Sequence, residues 1–411
     1  MKKIVCLFVL TACSSNVDNT DVVYLDYAAS SHINEKALKE FKRVCRMDGN
    51  SSGINFHAKI LKDIENQSAI VIASKINAQP EQILFTNSAT ISNNIAILGI
   101  AHKYPKCHLI TSKIEHKSVL NVFKYLEELG HIVTYLNVDR YGNIDLKQLE
   151  NSIKKNTRLI SIQMLNSEIG TLQNMRSIGK IAKNRGILFH SDAAQAFCKY
   201  DIDVDSINID FLTISGYKIG APKGIAALYI RDRSCIRPIL FGSGEEFFPG
   251  TRPTALIASF ASAVKNFSFN RSRINRNFRA FVSELLKIDG VHINSTTPSH
   301  IVSISIEGVF LKDILERIRE YSFAAGCSCL GQGQSNVMQA IDPEGKLPTC
   351  TVRISFSDSV KSANLVIFAQ KLKNVVKQLR KEKSVSKGCE SMNKKSQNDL
   401  NKEFEKIRKL F

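Results

Sequence analysis

Short apolar runs rich in β-branched residues alternate, through the middle of the chain, with longer stretches whose apolar residues recur at helical spacing. The runs predict seven strands, at residues 82–85, 109–111, 132–136, 159–164, 187–190, 211–214 and 225–230. Stretches such as 118–129 and 178–185 predict helices between them. This alternation indicates an α/β fold, with helices covering both faces of a mostly parallel seven-stranded sheet.

The pattern changes after about residue 265. A basic helical stretch at 267–288 leads to strand-like 301–306, a helical pattern at 311–319, a second strand at 351–356 and an amphipathic helix at 365–379. This order predicts a smaller α+β domain. We therefore divide the chain into a leader (1–21), a large domain (22–264, with 22–36 packing on the small domain), a small domain (265–380) and a basic tail (381–411).

The charge balance bears on the choice of partners. The formal net charge is +18, and residues 361–411 hold 14 lysines and arginines against 5 acidic residues. Half of the excess therefore lies in the C-terminal stretch, without interleaved aromatic residues. We interpret this stretch as a solvated or partner-docking tail and expect no nucleic-acid ligand.

The cysteines and the N-terminus bear on the compartment. Ten cysteines are scattered, with no CxxC pair and no Cys/His ladder, so we expect a reducing compartment, the cytoplasm, and no metal. The alternative is a lipid-anchored protein, because Leu10-Thr11-Ala12-Cys13 resembles a lipoprotein cleavage site with Cys13 as the modified residue. The preceding apolar run, 4–10, is only seven residues long.

Two charged residues follow predicted strands. Lys218, in Ser215-Gly216-Tyr217-Lys218, lies among small residues that leave room for a bulky adduct. An enzyme that uses pyridoxal 5′-phosphate (PLP) needs such a lysine to hold the aldehyde as a Schiff base. Asp192 leaves the strand at 187–190, where it either pairs with a cation such as a protonated pyridine nitrogen or caps the next helix.

Two further polar groups occupy similar positions. Ser88, Ala89 and Thr90 follow the strand at 82–85 and precede a helical stretch, where backbone N–H groups and a hydroxyl form either a phosphate cradle or a helix cap. His116 follows the strand at 109–111, where it either stacks on a cofactor ring or is structural.

Taken in order, the motifs resemble those of a known family. They are Tyr24-Leu25-Asp26-Tyr27, 86–90, 111–116, 166–170, Asp192-Ala193-Ala194-Gln195, 215–218 and Gly250-Thr251. The series is similar to the class V aminotransferase-type PLP enzymes, and within them to the cysteine desulfurase and selenocysteine lyase branch, from about residue 22 to 380. The resemblance implies PLP fold-type I and a homodimer whose cofactor lies near the subunit interface.

The resemblance also implies roles for individual residues. Lys218 would bind PLP covalently, Asp192 would pair with the pyridine nitrogen, Gln195 would bind the ring hydroxyl, and His116 would stack on the ring and assist proton transfer. Thr90 and Ser215 would hold the phosphate, with Thr251 reaching in from the other subunit. The full cofactor-binding set is then Ser88, Ala89, Thr90, His116, Ser167, Asp192, Gln195, Ser215, Tyr217, Lys218 and Thr251.

The substrate end of the site is implied in the same way. Ala325-Gly326-Cys327-Ser328-Cys329 resembles the family's catalytic loop, which makes Cys329 the sulfur-accepting nucleophile. Arg353 matches the arginine that grips the substrate carboxylate, and Asn55 stands where the family has a histidine near the substrate. The implied reaction converts L-cysteine to L-alanine and leaves a persulfide on Cys329 for a sulfur-acceptor protein, as in iron–sulfur cluster or thio-cofactor assembly.

Some positions depart from the family pattern. Tyr217 replaces a histidine, Ser88 a glycine, Ser167 an asparagine and Ser357-Asp358 a Gly-Arg pair. The stretch 242–251 is shorter and lacks an arginine, unless Arg252 substitutes for it. Two alternatives therefore stand beside the desulfurase: a selenocysteine lyase or other PLP-dependent β-elimination, and a diverged, non-catalytic paralogue that acts as a binding subunit.

Overall fold

A computed structural model of the chain describes residues 22–295, 297–325 and 335–384. In chain order its strands are β1 (Val23–Tyr24), β2 (Ile83–Thr86), β3 (His108–Ser112), β4 (Ile132–Leu136), β5 (Thr157–Ser161), β6 (Leu188–Asp192), β7 (Phe211–Ser215), β8 (Ala226–Ile230), β9 (Val291–Ile293), β10 (Ile301–Ile306), β11 (Tyr321–Ser322), β12 (Ala324–Ala325) and β13 (Cys350–Ser355).

The helices lie mostly between these strands. They are α1 (Glu35–Val44), α2 (Phe56–Ser74), α3 (Ala89–Lys103), α4 (Lys117–Glu128), α5 (Leu146–Ser152), α6 (Met175–Asn184), α7 (Val204–Ile207), α8 (Thr254–Asn266), α9 (Arg271–Leu285), α10 (Leu311–Arg317) and α11 (Asn336–Ile341). A further helix, α12, covers residues 362–384. Several begin at a side-chain cap, for example Asn34 on α1 and Asp145 on α5, because a polar side chain satisfies the free N–H groups of the first turn.

The large domain is built on a seven-stranded sheet in the order β2-β8-β7-β6-β5-β3-β4. Only β8 runs antiparallel to its neighbours, so the predicted, mostly parallel seven-stranded sheet is confirmed. Successive residues of each central strand enter different cores: Ile110 and Leu212 belong to one apolar cluster, and Leu109 and Phe211 to the other. Helices therefore cover both faces, which explains why these strands read as continuous apolar runs.

The small domain has its own core. Its antiparallel sheet has the order β12-β13-β10-β9, and Phe281 of α9 and Phe368 of α12 pack in the same cluster as Val352 of β13. The N-terminal segment joins this domain, because β1 pairs in parallel with β11 and Leu25 is fully buried in its core. Within the part of the chain that the structure describes, no helix combines the length and apolarity that a membrane span requires.

Candidate active site

The polar residues singled out in the sequence gather at one edge of the large sheet. Because β8 runs opposite to β2 and β7, the strands β2, β7, β6, β5 and β3 all end at that edge. The residues at or just after these ends line a single cavity of about 410 Å³; from β2 to β3 they are Ser88, Ala89, Thr90, Ser215, Tyr217, Lys218, Asp192, Gln195, Ser167 and His116. Ligands of open α/β sheets bind at such an edge.

Lys218 projects its amine into this cavity from the turn after β7. Its Nζ donates to the backbone carbonyls of Ala28 and Ala29, the latter at 2.9 Å, and lies 4.7 Å from the centroid of the Tyr217 ring. Burial lowers the pKa of Lys218 to about 8; the Arg353 guanidinium acts in the same direction. The unprotonated fraction that can act as a nucleophile near neutral pH is therefore larger than for an ordinary lysine.

Asp192 ends the neighbouring strand β6, and a buried asparagine holds it. Its Oδ1 accepts from the backbone N–H of Ala194 at 2.9 Å, and its Oδ2 accepts from Asn93 Nδ2 at 2.8 Å. Asn93 is fully buried on α3 and also donates to Ser118 Oγ at 2.9 Å. The carboxylate is thus fixed in orientation at the cavity wall.

The same network reaches His116. This residue caps α4: its Nδ1 accepts from the backbone N–H of Ser118 at 3.1 Å and lies 2.8 Å from the Ser118 hydroxyl. Because these bonds occupy the lone pair of Nδ1, the neutral ring carries its proton on Nε2. Asn93 therefore connects Asp192, assigned to the pyridine nitrogen, with His116, assigned to stacking on the PLP ring, and the connection to His116 runs through Ser118.

Arg353 lines the same cavity from β13 of the small domain. Its two terminal nitrogens donate to Asp26 Oδ1 at 2.8 Å and to the carbonyl of Ser167 at 3.1 Å. Its side chain is 12% exposed, and its Nε is buried without a partner. Beside it, burial raises the pKa of Glu168 to about 7, although Ser335 donates to this carboxyl group at 2.6 Å.

The cavity has unused hydrogen-bonding groups that fit PLP. Ser215 Oγ and Gln195 Oε1 are buried without a partner, whereas buried polar atoms normally have one. Ser88 begins α3 as its cap, and the N-terminus of such a 15-residue helix suits a phosphate. An amine, a carboxylate, a phosphate cradle and free hydroxyl and amide oxygens therefore surround one space, so the residues present fit the cofactor.

Two predicted site residues lie outside the lining of this cavity. Asn55 is exposed and caps α2, where its side chain accepts from the N–H of Ala58 at 2.9 Å. Thr251 is exposed and does not line the cavity of its own chain, and its assigned role in the other subunit stays a prediction. Cys329 lies outside the described residues.

Arg252, the candidate to replace the missing arginine, forms ion pairs within its own chain. Its guanidinium forms a salt bridge at 2.9 Å with Glu65, which is 2% exposed, and a second one at 3.4 Å with Glu245. Thr254 also donates to Glu65 at 2.6 Å. Arg252 therefore fastens the segment before α8 to α2, outside the lining of the cavity.

Sequence reasoning missed two residues that shape this site. Asn93 had a signal, because it is a polar residue on a helix whose following turns are apolar, and burial there requires a hydrogen-bonding partner. Asp26 stood in a quoted motif, but its contact with Arg353 joins residues 327 positions apart. Contacts of that range have no local signal in a single sequence.

Comparison with known proteins gives a consistent result. The aminotransferase class-V family model matches residues 23–368. The cysteine desulfurase IscS of Pseudoalteromonas translucida is 32% identical, over 87% of this chain and 93% of that protein. The mitochondrial cysteine desulfurase of Saccharomyces cerevisiae is 36% identical, over 81% of this chain and 71% of that protein.

Solved structures of proteins with related descriptions also match this chain. The structure described as SspA in complex with cysteine is 36% identical, with a TM-score of 0.73, and covers 82% of this chain and 99% of its own. A NifS-like protein is 26% identical, with a TM-score of 0.79, over 87% of this chain and 99% of its own.

Proposed function

Since this chain belongs to the aminotransferase class-V family, we propose that it is a PLP-dependent cysteine desulfurase that converts L-cysteine to L-alanine. The family match over residues 23–368 and the cysteine desulfurase relatives confirm the resemblance predicted from the motifs. The observation that carries the proposal is the single cavity that holds the amine of Lys218, the carboxylate of Asp192 and the guanidinium of Arg353.

Each of these residues has a distinct task. PLP, when bound, withdraws electrons from the α-carbon of the substrate. The amine of Lys218 would hold the cofactor covalently and would move the proton at that carbon. Asp192, held by Asn93, would stabilise positive charge on the pyridine nitrogen, and Ser215 and the first turn of α3 would hold the phosphate.

Arg353 supplies the carboxylate-binding group. Its contacts with Asp26 and the Ser167 carbonyl orient the guanidinium so that the unpartnered Nε and the terminal nitrogens can reach an incoming carboxylate. Cys329 would then take the sulfur: its thiolate attacks the substrate sulfur, the Cβ–S bond breaks, and the carbon skeleton is protonated to L-alanine while Cys329 is left as a persulfide. No external oxidant is needed, because the electron pair of the broken Cβ–S bond stays on the carbon, which takes up a proton, and this reduction of carbon balances the oxidation of the two sulfurs to a persulfide.

A direct experiment tests this proposal. The purified full-length chain should stay yellow after incubation with PLP and removal of the unbound cofactor, and with L-cysteine and a thiol reductant it should release alanine and sulfide in equal amounts. A parallel assay with selenocysteine separates a desulfurase from a lyase. A protein that is colourless once unbound PLP has been removed would favour the non-catalytic alternative.

Substrate binding should depend on the shape of the Arg353 side chain as well as on its charge. Arg353→Lys keeps a cation for Asp26 but loses the paired hydrogen bonds, which are worth about 1.5–3 kcal/mol for a charged group. We expect KM for cysteine to rise roughly 10- to 100-fold, with the absorption of bound PLP unchanged. Steady-state kinetics measure this, and Arg319→Lys, at an exposed position of the same domain, is the matched control. An unchanged KM would remove Arg353 from the substrate site.

Cofactor loading should report the lowered pKa of Lys218. Only the unprotonated amine attacks an aldehyde, so the rate at which the apoprotein takes up PLP should rise with pH and level off above a pKa of about 8. An ordinary lysine would show no plateau until about pH 10.4. Stopped-flow absorbance of the developing yellow band from pH 6 to 10 gives the profile, and a rate still rising steeply at pH 10 would contradict the environment described.

We further propose a homodimer in a reducing compartment, the cytoplasm, that passes sulfur to an acceptor protein. Thr251 is exposed and outside the cavity of its own chain, as a residue that completes a neighbouring site would be. The cysteines at 45, 107, 198, 235 and 350, those that the structure describes, are all free thiols. Light scattering of the purified protein tests the dimer.

A further inference from the structure

A second cavity, of about 280 Å³, is adjacent to the first and shares none of its lining residues. Two hydrogen bonds connect the two: Ser31 Oγ of the second cavity donates to the carbonyl of Lys218 at 2.7 Å, and Lys199 Nζ of the second cavity donates to the carbonyl of Gln195 at 3.2 Å. Its walls come from the N-terminal segment, the linker before α9 and the segment after β13. It is therefore a separate space at the junction of the two domains.

Lys199 is a buried lysine that forms no ion pair with any residue in the part of the chain that the structure describes. The residue is 6% exposed, and its hydrogen bond is to a neutral carbonyl. Among the salt bridges formed within 22–295, 297–325 and 335–384, none involves Lys199. A buried ammonium group is costly unless it is paired. Burial lowers the pKa of Lys199 to about 7, and repulsion from Lys218 contributes.

His300 presents a second unsatisfied group to the same cavity. It is 1% exposed, and neither ring nitrogen has a hydrogen-bond partner. Its ring stands edge-on to Phe269, with the centroids 5.6 Å apart, so the imidazole is held in place. A neutral imidazole always has one N–H to donate, which makes this a fixed and unused donor beside the ammonium of Lys199.

The remaining walls combine an aromatic side with serine, asparagine and aspartate side chains. Phe267 and Phe269 are stacked with their planes 11° apart, and Phe356 and Tyr27 complete the apolar side. Asp358 is the acidic residue among those that line the cavity, and its Oδ2 already accepts from the N–H of Asn270 at 2.9 Å. The volume is slightly below the usual range for drug-sized ligands, roughly 300–1,000 Å³, and suits a small molecule.

We propose that this cavity binds a small organic carboxylate, with the carboxylate on Lys199 and His300 and a short apolar body against the phenylalanine rings. The carboxylate neutralises the buried ammonium and accepts the unused N–H of His300. The aromatic walls remove the apolar part from water. Such a ligand could be a free α-amino acid or a simple organic acid, since both present the same carboxylate.

The test uses the full-length PLP-loaded protein carrying Arg353→Leu, which removes the carboxylate-binding group of the first cavity. Transverse relaxation of the ¹⁹F signal of 4-fluorobenzoate measures weak, saturable binding. We expect Lys199→Met to weaken that binding at least about tenfold, because a charged hydrogen bond is lost. Lys180→Met, at an exposed site on α6, should leave it unchanged, and the neutral 4-fluorobenzamide should not bind.

Competition identifies the source of the ligand. Displacement by both L-alanine and propionate indicates that amino acids are accepted, and displacement by propionate alone indicates a simple acid. If Lys199→Met does not fold, crystals of the unmodified protein soaked in 4-bromobenzoate should show an anomalous bromine peak in the second cavity. Absence of saturable binding, or binding that Lys199→Met leaves intact, overturns the proposal.

Discussion

Replacing Lys218 with alanine is expected to abolish the visible absorption band of bound PLP and to lower cysteine turnover by at least about 10³-fold. The amine has two tasks, covalent attachment of the cofactor and proton transfer at the α-carbon. A positioned acid–base group alone contributes roughly 10²–10⁴-fold. The fold should persist, because the hydrogen bonds of the amine go to the backbone carbonyls of Ala28 and Ala29 and to no other side chain that the structure describes. Absorbance spectra and alanine release give the two measurements.

The neighbouring Lys223 provides a matched control. It lies in the same segment between β7 and β8 but is exposed and does not line the cavity, so Lys223→Ala should keep both the colour and the rate. Retention of turnover by Lys218→Ala, with the same thermal midpoint as the parent, would show that the chemistry uses another group.

The architecture of the large domain was predictable because its strands are buried on both faces. Each becomes a continuous apolar run, which is readable without any partner strand. The predicted end of β5 was less accurate. The apolar run predicted a strand over 159–164, but the regular strand ends at Ser161. Ile162 and Met164 are still buried, and their backbone N–H groups donate to the carbonyls of His190 and Asp192 outside the regular strand. The apolar run is therefore longer than the strand.

The short strands of the small domain were not predicted, for the opposite reason. β9 has three residues, all half-buried, and β12 has two. Segments this short carry no periodicity, and their pairing with β10 and β13 comes from the tertiary fold. Helix α1 was also missed, although its sequence carries a signal: the Asn34 cap is followed by apolar residues at helical spacing, on the side that packs against α8.

The site residues that could be predicted are those whose neighbours in the sequence already place them at the end of a buried strand. Lys218 and Asp192 each follow a buried strand, and parallel strands end together, so their proximity follows from the fold class. The second cavity offered no such signal. Lys199 and His300 are about 100 positions apart, and only the folded chain shows that the amine of Lys199 and the unpartnered ring of His300 line one space.

Asp192→Asn should separate the electronic part of catalysis from cofactor binding. The amide keeps the size of the side chain and its bond to the Ala194 N–H, but it cannot stabilise a protonated pyridine nitrogen. Breaking a buried ion pair costs about 3–5 kcal/mol, so kcat should fall roughly 10²- to 10⁴-fold while Lys218 still holds PLP and the protein stays yellow. Asn93→Ala leaves the charge and removes only one donor to it, so its loss should be nearer to about tenfold. Steady-state kinetics, with spectra of both variants, show which substitution lowers kcat more. Equal losses of kcat would mean that the hydrogen bond from Asn93, rather than the charge of the carboxylate, determines the effect of Asp192 on the pyridine ring.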